Sequence, residues 1–222
     1  MGLPKVVVGS GWWCADDGSK PWISDEIVAS PRFFELWYQQ VKRCLAPERI
    51  FVTDSRSPVT PDLAGKPELE WCSLDRNYGH SLDILRGISK TRLCGFTRSV
   101  ILACAYALCC DADFYVYVEQ DCLLRGDDLL KVALGDTTEG IVIGDRTRGG
   151  RGIAPGAMAA PSYQQSLMVV RAGAFQRFLS ALTAGEETDG QLSPELKMER
   201  YWKPFDVLAE GHLVLLSRET GI

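Results

Sequence analysis

The sequence predicts an α/β fold, with a mostly parallel central sheet and helices on both of its faces. Three observations predict it. Short β-branched runs alternate with helical periods along the chain. The first run stops at Gly9-Ser10-Gly11, as a buried strand entering a ligand-facing loop would. A strongly apolar helix leads directly into the run Phe114–Val118, which ends on two acids, Glu119 and Asp121. The 222 residues suffice for one domain with a substantial core, expected over 1–222.

Lys5 to Ser10 is the first strand. Ser30 caps a helix that Pro31 opens, since proline is preorganised for the first helical position. Phe34, Trp37, Tyr38, Val41 and Leu45 recur on one face of that helix, and Pro47 stops it. Arg49–Thr53 is a second strand ending at Asp54, and Leu69–Leu74 a third. Thr97 is expected to cap the apolar helix from about Arg98 to Cys110. A short helix over Asp127–Leu134 precedes strands at Ile141–Ile143 and Leu167–Val170. An amphipathic helix follows over Ala172–Leu182, and another starts near Pro194. Gly144–Pro161 reads as a long loop with five Gly, two Pro and three Arg (Arg146, Arg148, Arg151). Loops of that length are functional or disordered. Gly185–Gln191 reads as a second flexible stretch.

Composition narrows the function. A net charge of −5 disfavours a nucleic-acid surface, which needs basic excess. No apolar run is long enough to span a bilayer, and the longest, Val100–Cys110, is about half of one. The N-terminus reads as a strand instead of a signal peptide. Eight scattered cysteines contain no C-x-x-C pair, and several lie in apolar context, so we expect reduced, buried thiols and a cytoplasmic location.

Glu119 and Asp121 carry the sharpest chemistry. In an extended chain, residues i and i+2 point to one side, so the two carboxylates can converge on one cation. Hard oxygen donors suit Mg²⁺ or Mn²⁺, and ligands of open α/β sheets bind at the carboxyl ends of strands. The alternative is a solvated turn. Asp54 has two readings as well, an acceptor for ribose or base donors or a local turn-former. Gly9, Ser10 and Gly11 let a backbone approach a nucleotide. Arg98 can reach a diphosphate or pair with a surface carboxylate. Trp12 and Trp13 suit a stacking wall or the core.

The run from Arg98 through Asp121 resembles the GT-A glycosyltransferases, in which a buried helix feeds a strand ending in a metal-binding D-x-D. Asn77-Tyr-Gly79 resembles that family's N-x-G turn, and Gln165-Ser166 to Phe175 is similar to its acceptor-side strand–turn–helix. The ordered set spans Val6 to Trp202. It implies a nucleotide-binding half over about 1–125 and an acceptor-side half over about 126–222. It further implies a nucleotide-diphosphate sugar donor, Mn²⁺ or Mg²⁺, and a glycan or other hydroxyl acceptor. On this reading Gly9, Ser10, Gly11, Asp54, Asn77, Arg98 and Glu119 bind the nucleotide. Asp121, with Glu119 and a late His212, holds the metal, and the arginines of the 144–161 loop meet phosphates. His212 also fits a structural role at a strand start.

The sequence departs from the family at its first motif acid, which is Glu119, and it lacks the usual base-bearing acidic pair. Its nearest counterpart is Glu195, which can take the acceptor's proton or merely complement a helix N-terminus. Gly9-x-Gly11 matches a dinucleotide fingerprint only in part, since the third glycine is absent and Asp54 lies too far on. A sugar nucleotidyltransferase and a non-catalytic binding module on the same fold remain the competing readings.

Overall fold

The computed structural model describes residues 3–15, 25–126, 129–131, 140–145, 163–202, 206–208 and 213–215. Strand β1 (Val6–Trp12) is followed by a 3₁₀ turn (Asp25–Ala29) and helix α1 (Pro31–Leu45). Then come β2 (Arg49–Asp54), β3 (Leu69–Ser73), the short helix α2 (Ser81–Leu85) and helix α3 (Gly95–Cys109). β4 (Phe114–Val118), β5 (Cys122–Leu124), β6 (Ile141–Asp145) and β7 (Tyr163–Arg171) follow, with α4 (Phe175–Thr183) and α5 (Pro194–Trp202) after them. Strands β8 (Asp206–Leu208) and β9 (Leu213–Leu215) come last.

Among the described residues, seven strands form one sheet in the order β3-β2-β1-β4-β7-β6-β8, and β5 pairs with β9 in a small ribbon. β7 runs against β4 and β6, while the remaining ladders of the large sheet are parallel. The expected mostly parallel sheet is thus the one observed, with a single reversed strand in its middle.

Alternation along β1 builds the two layers. Val6, Val8 and Trp12 face a core with Phe33, Phe34, Trp37 and Val41 of α1. Val7 faces the other side, with Val100, Ala103 and Ala107 of α3 and Phe178 of α4. Trp12 meets Phe34 edge-on at 4.9 Å between ring centroids. Ser30 caps α1 as expected, its Oγ accepting from the Phe33 N–H at 3.2 Å. Each large side chain buried here contributes about 1.5–3 kcal/mol.

Several expectations change. β1 does not end at Ser10: Gly9, Ser10 and Gly11 lie inside it, and the strand stays in register with β2 up to Trp12 opposite Asp54. A Cβ on Gly9 would sit 2.4 Å from Ala103 Cβ, and one on Gly11 would sit 2.6 Å from Ser99 Oγ. The glycines therefore let α3 lie close against the sheet, and the loop after β1 begins only at Trp13. Thr97 is not the cap of α3, because the helix starts earlier, with Cys94 at the N-cap position. Leu167–Val170 is the middle of a longer strand that begins at Tyr163. Within the short helix expected over 127–134, residues 129–131 are described and are helical. His212, Arg146, Arg148 and Arg151 lie outside the described residues.

Candidate functional site

The carboxyl ends of β1, β2 and β4 meet at one edge of the sheet. β4 stops at Val118, and the Cys122 N–H donates to the Glu119 carbonyl at 3.0 Å. Glu119 and Asp121 therefore sit in a tight turn, and the turn, not strand alternation, brings them together. Ser166 of β7 fixes Glu119 twice. Its hydroxyl donates to Glu119 Oε2 at 2.7 Å, and its carbonyl accepts from the Glu119 N–H at 2.9 Å.

Burial pushes the Glu119 carboxyl up to about 8, with the charges of Asp121 and Glu195 adding to it and the Ser166 hydroxyl opposing. Burial likewise raises Asp121 to about 6. The buried Oδ1 of Asp121 has no hydrogen-bond partner among the described residues. Two half-buried acids that disfavour each other's ionisation, one with an orphaned oxygen, form a pair suited to a cation. Among the described residues no three His, Cys, Asp or Glu side chains are grouped to hold a metal. The pair offers part of a coordination shell, the usual protein share where waters and substrate phosphates complete it.

Gln120, between the two acids, points elsewhere. Its Oε1 accepts from the Trp13 N–H at 2.7 Å, and its Nε2 donates to the Trp13 carbonyl at 3.3 Å and the Val28 carbonyl at 3.1 Å. The acidic turn is thereby tied to the loop leaving β1. Trp13 is 39% exposed there, whereas Trp12 is buried in the core.

The other candidates fall around this turn in different ways. Asp54 is buried, and its carboxylate accepts from the Ser57 N–H at 3.0 Å, from the Ser57 hydroxyl, and from the Ser73 hydroxyl at 2.8 Å. These contacts are those of a turn-former that shapes the loop after β2. Asn77 Oδ1 accepts from the Gly79 N–H at 2.8 Å, and Gly79 takes a positive φ of 69°. The Gly79 carbonyl in turn accepts from the Gly95 N–H, so this turn abuts the start of α3. Arg98 donates to the Leu93 carbonyl at 3.1 Å and the Thr91 hydroxyl at 2.9 Å, and its guanidinium lies 3.7 Å from the Tyr78 ring centroid. It braces the 91–93 segment. Glu195 opens α5 within electrostatic reach of Glu119.

The sequence reading missed Ser166 and Gln120 as supports of the acidic turn. Ser166 lies inside the Gln165–Phe175 run, but its hydroxyl acts across 47 residues of sequence, and no local pattern signals that. It also missed Asp189. The 185–191 stretch expected to be flexible is anchored by that residue, whose buried carboxylate pairs with Lys197.

Against known proteins, no family model and no curated protein matches this chain. Solved structures do match. S. aureus TarS 1–349 is similar at a TM-score of 0.50 and 13% identity, over 94% of this chain and 59% of that one. TarS in complex with UDP-GlcNAc gives 0.50 and 12%, over 94% and 57%. A putative glucose-1-phosphate thymidylyltransferase from Bacillus anthracis gives 0.54 and 12%, over 97% and 91%. The chain thus spans less than two thirds of the TarS chain.

These likenesses and the strand order define a class of fold: a mixed, mostly parallel sheet flanked by helices, shared with TarS and the thymidylyltransferase-like structure. Within that class the chain has the GT-A type fold. Among the described residues no helix is long and apolar enough to cross a membrane.

Proposed function

We propose that this chain is a metal-dependent glycosyltransferase, moving a sugar from a nucleotide-diphosphate donor to a glycan or other hydroxyl acceptor. One observation carries the reading: the buried Glu119–Asp121 pair in the turn after β4, with Glu195 on a separate helix near enough for its charge to act on Glu119. Asp121, through its unpartnered Oδ1, and Glu119 are the residues that would hold Mn²⁺ or Mg²⁺. When bound, such an ion neutralises charge on a diphosphate leaving group.

The chain's own groups supply the rest. Ser166 holds Glu119 in one orientation. Gln120 holds the Trp13 backbone at the mouth of the site, where the exposed indole suits stacking on a base. Asp54 and Asn77 shape the turns along which the nucleotide lies. Glu195 takes the acceptor hydroxyl's proton as that oxygen bonds to the anomeric carbon. The anomeric carbon–diphosphate bond breaks, its electrons leaving with the nucleoside diphosphate. His212 and the 144–161 arginines complete this reading as metal and phosphate contacts. The buried thiols of Cys44, Cys94, Cys104 and Cys122 support a reducing, cytoplasmic setting.

Thermal stability with Mn²⁺ and a panel of nucleotide diphosphates tests the proposal. One nucleotide should stabilise the protein only with metal, and Asp121→Ala should abolish that shift. No stabilisation by any nucleotide would support a binding module instead. Release of pyrophosphate from a nucleoside triphosphate and a sugar phosphate would support nucleotidyl transfer, a reading kept open by the likeness to a thymidylyltransferase fold.

A further inference from the structure

Helix α5 is fixed by a buried ion pair that the proposed chemistry does not use. Lys197 Nζ lies 2.6 Å from Asp189 Oδ1, and both side chains are 0% exposed. The other carboxylate oxygen, Oδ2, accepts from the Cys94 N–H at 2.7 Å, at the start of α3. The Asp189 N–H donates to the Arg92 carbonyl at 2.8 Å. The next residue of the helix, Met198, accepts at Sδ from Gln165 Nε2 of β7 at 3.0 Å. Gln165 adjoins Ser166, which holds Glu119. Two consecutive residues of α5 are thus pinned, one to the start of α3 and one beside the support of the acidic turn.

A buried ion pair contributes little net stability over apolar replacements, because desolvation offsets the attraction, whereas removing one partner is strongly destabilising. The best-attested use of such a pair is to fix register. Glu195 stands two residues before Lys197, in the first turn of the same short helix. A helix of nine residues with one turn pinned has little freedom to slide.

We infer that the Asp189–Lys197 pair is a positioning device that holds Glu195 in register with the acidic turn. The inference rests on the glycosyltransferase reading for its effect on rate, though not for the anchoring itself. Both residues act through Glu195 and touch no substrate.

The test is the double variant Asp189→Asn/Lys197→Met in the full chain. It removes both charges together, and the asparagine carbonyl still accepts from the Cys94 N–H. The expected result is a kcat lowered at least 10-fold, with donor KM and the Mn²⁺-dependent nucleotide shift within 2-fold of wild type. A kcat within 2-fold would overturn the inference. Should the double variant not fold, Asp189→Glu retains both charges and displaces the pair by one methylene. Its kcat should fall at least 5-fold at unchanged donor KM, and an unchanged kcat again overturns the inference. If the wild type transfers no sugar, the glycosyltransferase reading fails, and amide hydrogen exchange decides the anchoring alone. Amides of residues 194–202 exchanging at least 10-fold faster in the variant would support it, and equal exchange would overturn it.

Discussion

Replacing Gly9 by alanine separates two roles that the same residue type can serve. If glycine is there for a ligand, Gly9→Ala should impair nucleotide binding and leave stability alone. The structure argues the opposite. The new Cβ would lie 2.4 Å from Ala103 Cβ, 2.7 Å from Tyr115 Cε2 and 2.9 Å from Tyr115 Oη. Ordinary carbon contacts are about 3.5–4.0 Å, so the overlap exceeds about 1 Å. Ala103 and Tyr115 are fully buried, and alanine has no rotamer with which to yield. Overpacking of this kind costs about 1–3 kcal/mol, and the absence of a flexible neighbour puts Gly9→Ala near the upper end. At about 2.1 cal/mol/K of unfolding entropy per residue, 3 kcal/mol corresponds to about 6 °C in this 222-residue chain. Urea unfolding and calorimetry read both numbers. Adding Ala103→Gly should recover part of the loss, with a coupling above about 1 kcal/mol between the sites. A Gly9→Ala protein within about 0.5 kcal/mol of wild type, yet blind to nucleotide, would refute the packing argument.

Further outcomes follow from the acidic turn. Carboxyls raised in the folded state favour folding at low pH and oppose it as pH climbs through their folded values. Without metal, stability should therefore fall between about pH 4 and 8 as Glu119 and Asp121, held near about 8 and about 6, ionise. Asp121→Asn should flatten that fall and raise metal-free stability at pH 8 by about 1–3 kcal/mol. Calorimetry in a chelator measures it, and a lower Tm for the variant would count against the coupling. Gln120→Ala removes three hydrogen bonds to the backbones of Trp13 and Val28. It should lower stability by about 1–2 kcal/mol and speed exchange of the Trp13 amide, whereas unchanged exchange there would show that Gln120 does not hold the loop. Glu195→Gln should retain donor binding and lose most transfer, and full transfer by that variant would remove Glu195 as the base.

The fold was legible because its signals are local. Hydrophobic period and caps located β1, α1, β2, β4 and α4 within a few residues, and Ser30-Pro31 marked the start of α1 at the right place. The misplacements have physical causes. Gly-Ser-Gly read as a loop because glycine is usually turn chemistry, yet here it relieves crowding between β1 and α3, a pressure set by Ala103 and Ser99 some 90 residues on. Thr97 read as a cap because threonine caps well, but the N–H of the true cap residue, Cys94, is met by Asp189 from 95 residues away. α2 was invisible because five residues with His80 as the capping side chain carry no helical period. The acidic pair could be read from sequence, whereas its supports could not. Ser166, Gln120 and Lys197 act through contacts that only the assembled sheet creates.

The reversed strand β7 has a consequence for how the chain matures. It lies between β4 and β6 and completes β4 residue by residue, from Phe114 opposite Arg171 to Val118 opposite Leu167. Until residues 163–171 have been synthesised, β4 presents an open edge of Tyr, Val, Tyr and Val, the kind of edge that recruits other chains. The acidic turn at its end lacks the Ser166 support for the same interval. Acquisition of the site is therefore a late event, gated by long-range pairing. A chain cut after about residue 125 should be prone to aggregate, and should not persist as an independently folded half.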